Sequence, residues 1–264
     1  MSEHAPTHAL VRRVSPSLAD CALTYLARRP IELERAVHQH QVYVSALERA
    51  GLHVTVLPAQ PSLPDAAFVE DMAVILDEFI IAGRSGSTNR RKEADSLLPL
   101  LNGIRPVELI LPPGILEGGD LLVVGKTIFA GLSSRTNEEG VRQLERMATP
   151  HGYRVAWIPV RGCLHLKTAI TRVGQDIVLA NPRWIDLLPF VEFEILNVPD
   201  SEPWGANTLL VNGTLLVTNS APRTAELLES RGCQLSVVDI SELQKAEAGL
   251  TCLSLLYRKP DGLK

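Results

Sequence analysis

Cysteine is scarce in this chain: four in 264 residues, at positions 21, 163, 233 and 252, with no CxxC pair and no metal-ligand spacing. That excludes a disulfide framework and points to a reducing compartment. No run approaches the roughly 18 apolar residues a membrane span needs. The opening MSEHAPTHALVRR lacks the apolar stretch of a secretory signal, so the expectation is a soluble, cytoplasmic protein. Basic excess is absent too. Lys and Arg number 26 against 30 Asp and Glu, for a net charge of −4, and no window holds a Lys/Arg stripe, which argues against a nucleic-acid partner. No linker or low-complexity tract interrupts residues 1–264, so a single domain is expected, and 45% hydrophobic residues suffice for a substantial core.

What is present is a repeat. MAVILDEFIIAG from Met72, LLVVGKTIFAG from Leu121, TAITRVGQDIVLA from Thr168 and TLLVNGTLLVT from Thr208 are each two apolar runs about a polar joint. The last turns at Asn212-Gly213, a strong hairpin signal between β-branched residues. Helical stretches with their own stops follow: residues 89–101 before Gly103, 137–148, and Pro222 to Arg231 before Gly232. Ser241 to Gln244 has the form of a capping box, with Gly249 closing that helix. Short strands at 107–111, 154–158 and 235–238 come next. A unit of hairpin, helix and strand recurs every 40 to 50 residues or so. A fifth unit would start at Cys252 and take its missing strands and helix from Ala9 to Val14 and Ile31 to Ala50, which closes a ring. The predicted fold is α/β, a closed array of five units; an α+β sandwich with repeated hairpins is the alternative.

Before the first strand of each unit stand polar residues that are costly to bury: Asp65, Glu70 and Asp71, then Glu117 to Asp120 (EGGD), His165, Asn207 and Cys252. Taken singly, each has an ordinary explanation. EGGD could be a solvated turn, His165 a satisfied rim histidine, and Cys252 a buried, idle thiol. Cys163 reads as packing, and His38 and His40 point to different faces of a helix. Equivalent positions of a ring converge on its axis, however, and that convergence brings together the thiol, imidazole and carboxylates that nucleophilic catalysis requires. Arg90 and Arg135 could clamp a carboxylate, although Arg135 could simply pair with Glu138 or Glu139. An acidic pocket facing a basic clamp suits a zwitterion such as arginine.

SPSL (from Ser15), LPDAAFVED, NRRKEAD, EGGD, GLSSRTN, GCLHLK and GLTCLS occur in an order and spacing that resemble the dimethylarginine dimethylaminohydrolase family of the guanidino-group-modifying (pentein) superfamily. The resemblance covers almost the whole chain. It implies a five-bladed β/α propeller around a central site, and hydrolysis of N(omega)-methylated arginine to citrulline. Cys252 is then the nucleophile, His165 the proton donor and later base, and Glu117 the residue that orients His165. Asp71 and Glu70 face the guanidinium, Arg90 and Arg135 hold the α-carboxylate, and Asp65 with the Leu18 carbonyl takes the α-amine. Phe68 and Ala246 complete the substrate contacts, and Leu18 lies on a mobile lid loop. No cofactor and no metal is implied, although a thiolate beside a histidine could bind adventitious zinc. The partner is a small-molecule substrate, with no membrane or nucleic acid, and the chain is a monomer or homodimer.

Arginine deiminases carry an acidic residue two positions after the histidine, where this chain has Lys167, and agmatine deiminases have no need of an arginine clamp. An arginine-deiminase-like hydrolase and a non-catalytic pentein binding protein are the alternative readings.

Overall fold

The computed structural model describes residues 5–259. Its chain forms five three-stranded sheets with helices between them, a mixed α/β arrangement. β1 (His8–Arg12) and β2 (His53–Leu57) flank α1 (Leu33–Arg49). The next sheet holds β3 (Ala73–Ile75), β4 (Ile80–Ala82) and β5 (Val107–Leu109), with α2 (Leu98–Asn102) before β5. Then come β6 (Leu121–Val124), β7 (Thr127–Leu132), α3 (Glu138–Ala148) and β8 (Arg154–Pro159). The third repeat has α4 (Leu166–Ala169), β9 (Ile170–Arg172), β10 (Ile177–Ala180) and β11 (Glu194–Asn197). β12 (Leu209–Val211), β13 (Thr214–Thr218), α5 (Pro222–Ser230) and β14 (Gln234–Val238) form the fourth, and α6 (Ser241–Gln244) leads to β15 (Leu255–Tyr257).

Every sheet repeats one pattern: its first strand is antiparallel to the middle strand, and the middle strand is parallel to the third. In the last sheet the first strand is the C-terminal β15, while β1 and β2 supply the other two. The sheet at the end of the chain is therefore completed by its beginning. The hairpin at Asn212-Gly213 has both residues at positive φ, 49° and 86°, as the mirror-image two-residue turn demands.

The core is divided among the sheets. One apolar cluster joins the β1 sheet to the β3 sheet through Leu10, Ala73 and Ile80. Others join the β3 and β6 sheets (Ile81, Ile128), the β6 and β9 sheets (Phe129, Ile170) and the β9 and β12 sheets (Leu179, Leu215). The largest brings the β12 sheet back to the β1 sheet, with α1 laid over it through Tyr43 and Leu47. Truncating Leu47, fully buried here, would cost about 2–5 kcal/mol.

Three features depart from the sequence expectation. Residues 89–101 do not form one helix: a 3-10 segment covers Thr88–Glu93, and α2 starts only at Leu98 because Pro99 fits the first turn of a helix but not its interior. The third repeat has no α-helix between its second and third strands; Pro182 and Pro189 fall in that connection, which holds only a 3-10 turn at Leu188–Phe190. The helix expected from Ser241 to Gly249 stops at Gln244 and has no capping box. Ser241 is a helical residue, its hydroxyl accepts from Arg35 and Gln39, and its backbone N–H is satisfied by Asp239. Glu247, at φ 61°, lies outside helical space.

The connections entering each sheet position the site. Val69–Met72, Gly118–Asp120 and Thr251–Leu253 are single 3-10 turns, each leading to a first strand. The Val69–Met72 turn touches both of the others, and α4, which follows His165, touches Gly118–Asp120.

Candidate active site

Closely packed turns require residues without side chains. A Cβ on Gly118 would lie 2.0 Å from the Glu70 carbonyl, and one on Gly119 would lie 2.7 Å from the His165 ring and 3.0 Å from Asp71 Oδ1. The two glycines of EGGD therefore let the second turn lie against the first and against the imidazole. Asp120, the last residue of that motif, holds the histidine loop in place: Oδ1 accepts the Leu166 N–H at 2.9 Å and Oδ2 the Ser133 hydroxyl at 2.6 Å.

His165 is 3% exposed, and its Nε2 lies 2.8 Å from Glu117 Oε2. Its Nδ1 faces Asp71 Oδ1 at 3.9 Å. Burial disfavours the imidazolium, but Asp71, Asp120 and Glu117 outweigh it and push His165 up to about 9. Glu117 is fully buried and would by burial be hard to ionise. The His165 hydrogen bond, Arg90 at 3.8 Å and Arg135 at 3.5 Å instead hold it well below the usual carboxylate range. Ser85 Oγ donates to its Oε1, and its own backbone N–H donates to Thr136 Oγ1 at 3.1 Å. The pair is thus an ionised carboxylate on a protonated imidazole.

Arg90 is buried beside Glu93, Asp71 and Glu117. Its Nε donates to both Glu93 oxygens at 3.2 Å, Nη2 to Glu93 Oε2 at 3.0 Å, and Nη1 to Asp71 Oδ2 at 2.8 Å. A guanidinium has five N–H groups, so two on its Nη atoms are left by these bonds. Glu93 is pushed up to about 7 by burial, against the pull of Arg90. Arg135 does not pair with Glu138 or Glu139; its Nη2 donates to Thr24 Oγ1 at 3.0 Å, and its Nη1 lies near Glu117. Asp71 Oδ1 is buried and has no hydrogen-bond partner among the described residues.

Cys252 sits in the turn Thr251–Leu253, half-buried against a cluster that includes Leu18, Phe68 and Ala246. The Gly249 N–H donates to its Sγ at 3.3 Å. Burial, then Asp71 and Glu70, raise its thiol well above the ordinary range. Cys163 packs as expected: it is 1% exposed, donates to the His165 carbonyl at 3.4 Å, and is pushed up to about 12 by burial and Asp120.

Asp65 is raised by burial, and its carboxylate accepts the Ala22 N–H at 3.1 Å. The Leu18 carbonyl accepts the Cys21 N–H at 3.0 Å, within a segment whose Ala22 meets Asp65 and whose Thr24 meets Arg135. Glu247 fastens the same segment by accepting the N–H groups of Thr24 and Leu26 at 3.0 and 2.6 Å. Both Glu70 oxygens are engaged: Oε1 accepts from Lys167 Nζ, and Oε2 accepts from the Thr251 hydroxyl at 2.7 Å. Ser85, Glu93, Thr136 and Glu247 were not foreseen. Only Glu93 left a signal, its three-residue spacing from Arg90. Asp71, Glu117 and His165 bring three ligand-type atoms within 4.8 Å. Arg90 and Arg135 already direct cationic groups at both carboxylates, so the set does not fit a metal ion.

The fold is shared with the N-terminal domain of ArgZ, an arginine dihydrolase of cyanobacteria, which superposes with TM-score 0.87 over 97% of this chain and 98% of its own at 16% identity, a likeness of fold alone. Much nearer in sequence is the N(G),N(G)-dimethylarginine dimethylaminohydrolase of Streptomyces coelicolor, 37% identical over 95% of this chain and 97% of that one. Its Pseudomonas aeruginosa counterpart is 31% identical over 95% and 99%. The solved structure of a cysteine-to-serine variant of the Pseudomonas enzyme, complexed with citrulline, has TM-score 0.91 over 96% of this chain and all of that one. The family profile "N,N dimethylarginine dimethylhydrolase, eukaryotic" matches residues 26–187. The chain belongs to the dimethylarginine dimethylaminohydrolase family.

Proposed function

We propose that this protein hydrolyses N(omega)-methylated L-arginine to L-citrulline and methylamine or dimethylamine through a covalent intermediate on Cys252. The observation that carries the reading is the buried Asp71 Oδ1, unpartnered among the described residues and facing His165 at 3.9 Å. An isolated carboxylate oxygen at that depth is costly unless a donor meets it, and a substrate guanidinium supplies one. Asp71 keeps the substrate cationic, so its central carbon is electrophilic. Arrival of that cation offsets the burial and the carboxylates that hold the Cys252 thiol protonated. The thiol releases its proton to solvent, and the resulting thiolate adds to the guanidinium carbon as the C–N π electrons move onto nitrogen. His165 as imidazolium gives its proton to the departing amine, the C–N bond breaks, and an S-alkylthiouronium remains. His165, now neutral, takes a proton from water, which attacks the same carbon; the C–S bond breaks and citrulline leaves.

The α-carboxylate falls to Arg135 and to the N–H groups of Arg90 not used by Glu93 and Asp71, and the α-amine to Asp65 and the Leu18 carbonyl, with Phe68 and Ala246 lining the apolar wall. Glu70 acts beside the guanidinium at most indirectly, since both of its oxygens have partners. The cyclic succession of core clusters supports a single five-bladed propeller with these residues near its axis. Four free cysteines suit a reducing cytoplasm, and no described helix is long and apolar enough to cross a membrane. Incubation with asymmetric dimethylarginine, arginine and agmatine tests the reading: citrulline should form from the first, while turnover of arginine alone would make the protein a deiminase.

A further inference from the structure

The fourth repeat places Asn207 at the register that elsewhere supplies Asp71, Asp120, His165 and Cys252, and the chemistry above gives it no task. Asn207 is 7% exposed, directly ahead of β12. Its carboxamide is fully employed: Oδ1 accepts the Thr251 backbone N–H at 3.2 Å, and Nδ2 donates to Thr251 Oγ1 at 3.1 Å and to the Lys167 carbonyl at 2.9 Å. Thr251 Oγ1 donates in turn to Glu70 Oε2 at 2.7 Å, and Glu70 Oε1 accepts from Lys167 Nζ. The network joins the residue just before Cys252 to the residue two after His165. A Cβ at Gly249 would lie 2.3 Å from the Asn207 amide, so the chain entering the nucleophile turn lies directly against it.

The geometry points to Asn207 as a positioning residue that sets the nucleophile turn against the histidine loop, with Thr251, Glu70 and Lys167 as its struts. Only a carboxamide meets the demand: one acceptor for a backbone N–H, two donors for a hydroxyl and a carbonyl, and no charge beside the thiol. Glu70 serves this frame, which accounts for the engagement of both its oxygens. The inference rests on the preceding reading in taking Cys252 and His165 as the reacting pair.

Thr251→Val keeps the shape of the side chain and removes its hydroxyl, whereas Thr251→Ser keeps the hydroxyl. Because small misplacement of a reacting group is expensive, the valine variant should lose about 10- to 100-fold in kcat, with KM for dimethylarginine changed less than about twofold. The serine variant should stay within about threefold of the parent. Asn207→Ala should accelerate amide exchange in a peptide spanning 250–254 and leave peptides from the β6 and β9 sheets unchanged. Equal loss in the valine and serine variants, a KM effect without a kcat effect, or unaltered exchange at 250–254 would overturn the assignment. Should the parent enzyme turn over no methylated arginine, the functional reading fails by itself, and the exchange measurement still decides the role of Asn207.

Discussion

Glu117→Gln keeps the shape of a buried side chain and removes its charge. Glu117 Oε2 holds His165 Nε2 at 2.8 Å, and burial alone would lower the histidine. The three carboxylates nevertheless take it from 6.5 to about 9. At 1.36 kcal/mol per unit, that displacement represents on the order of 3 kcal/mol favouring the charged imidazole, shared among Asp71, Asp120 and Glu117. Losing the partner in direct hydrogen-bond contact should return His165 about 1–2 units toward its ordinary value. The imidazolium is the acid that expels the amine, so kcat/KM falls as pH rises through the free-enzyme value. The alkaline limb should stand near 9 in the parent and move acidward by about 1–2 units in the variant. Stability follows the same sign: a raised histidine contributes fully below 6.5 and loses that contribution as pH climbs to about 9, a decline that Glu117→Gln should flatten. Steady-state kcat/KM against pH, paired with thermal unfolding at pH 6 and pH 9.5, reads both. An alkaline limb that stays in place would refute the assignment of His165 and Glu117 as one acid.

The remaining expectations concern packing, charge and the thiol. Gly119→Ala puts a methyl 2.7 Å from the His165 ring and should lower kcat at least about tenfold, since ring and turn cannot both keep their places. Gly125→Ala, whose Cβ meets nothing within 4 Å and whose φ is 56°, should cost about 1 kcal/mol of stability and no activity. Arg135→Ala should raise KM for methylated arginine about tenfold or more, the loss expected for a charge-assisted pair to the substrate carboxylate; an unchanged KM would remove Arg135 from the clamp. Alkylation of Cys252 by iodoacetamide in the free enzyme should rise only above the ordinary thiol range, because burial, Asp71 and Glu70 all oppose the thiolate. An inflection well below pH 7 would show that the thiolate precedes the substrate.

Most strands were legible because apolar runs and turns such as Asn212-Gly213 are local signals, although β11 was not foreseen, and the register of the repeat placed Asp71, Glu117, His165 and Cys252 at entries to sheets that prove to touch. Helices were less legible where a proline or a positive φ intervened, as at Pro99 and Glu247. The pairing of charges was hidden altogether. Nothing local says that Glu70 belongs to Lys167 and Thr251, distant residues, or that Ser85 closes on Glu117. Such contacts depend on which turns meet, and those meetings follow from the packing of several sheets. Gly118 and Gly119 did leave a trace, an otherwise unexplained pair between two acids, yet only the structure reveals that each is required by a neighbour 2.0 or 2.7 Å from its missing Cβ.

Rapid acid quench of the enzyme with asymmetric dimethylarginine, followed by mass spectrometry of the peptide that carries Cys252, tests the covalent reaction at its source. The thiouronium should be found on Cys252 during turnover, dimethylamine and citrulline should accumulate in equal amounts, and Cys252→Ser should form neither adduct nor product. Turnover by Cys252→Ser, or citrulline formed with the adduct on another cysteine, would contradict the account.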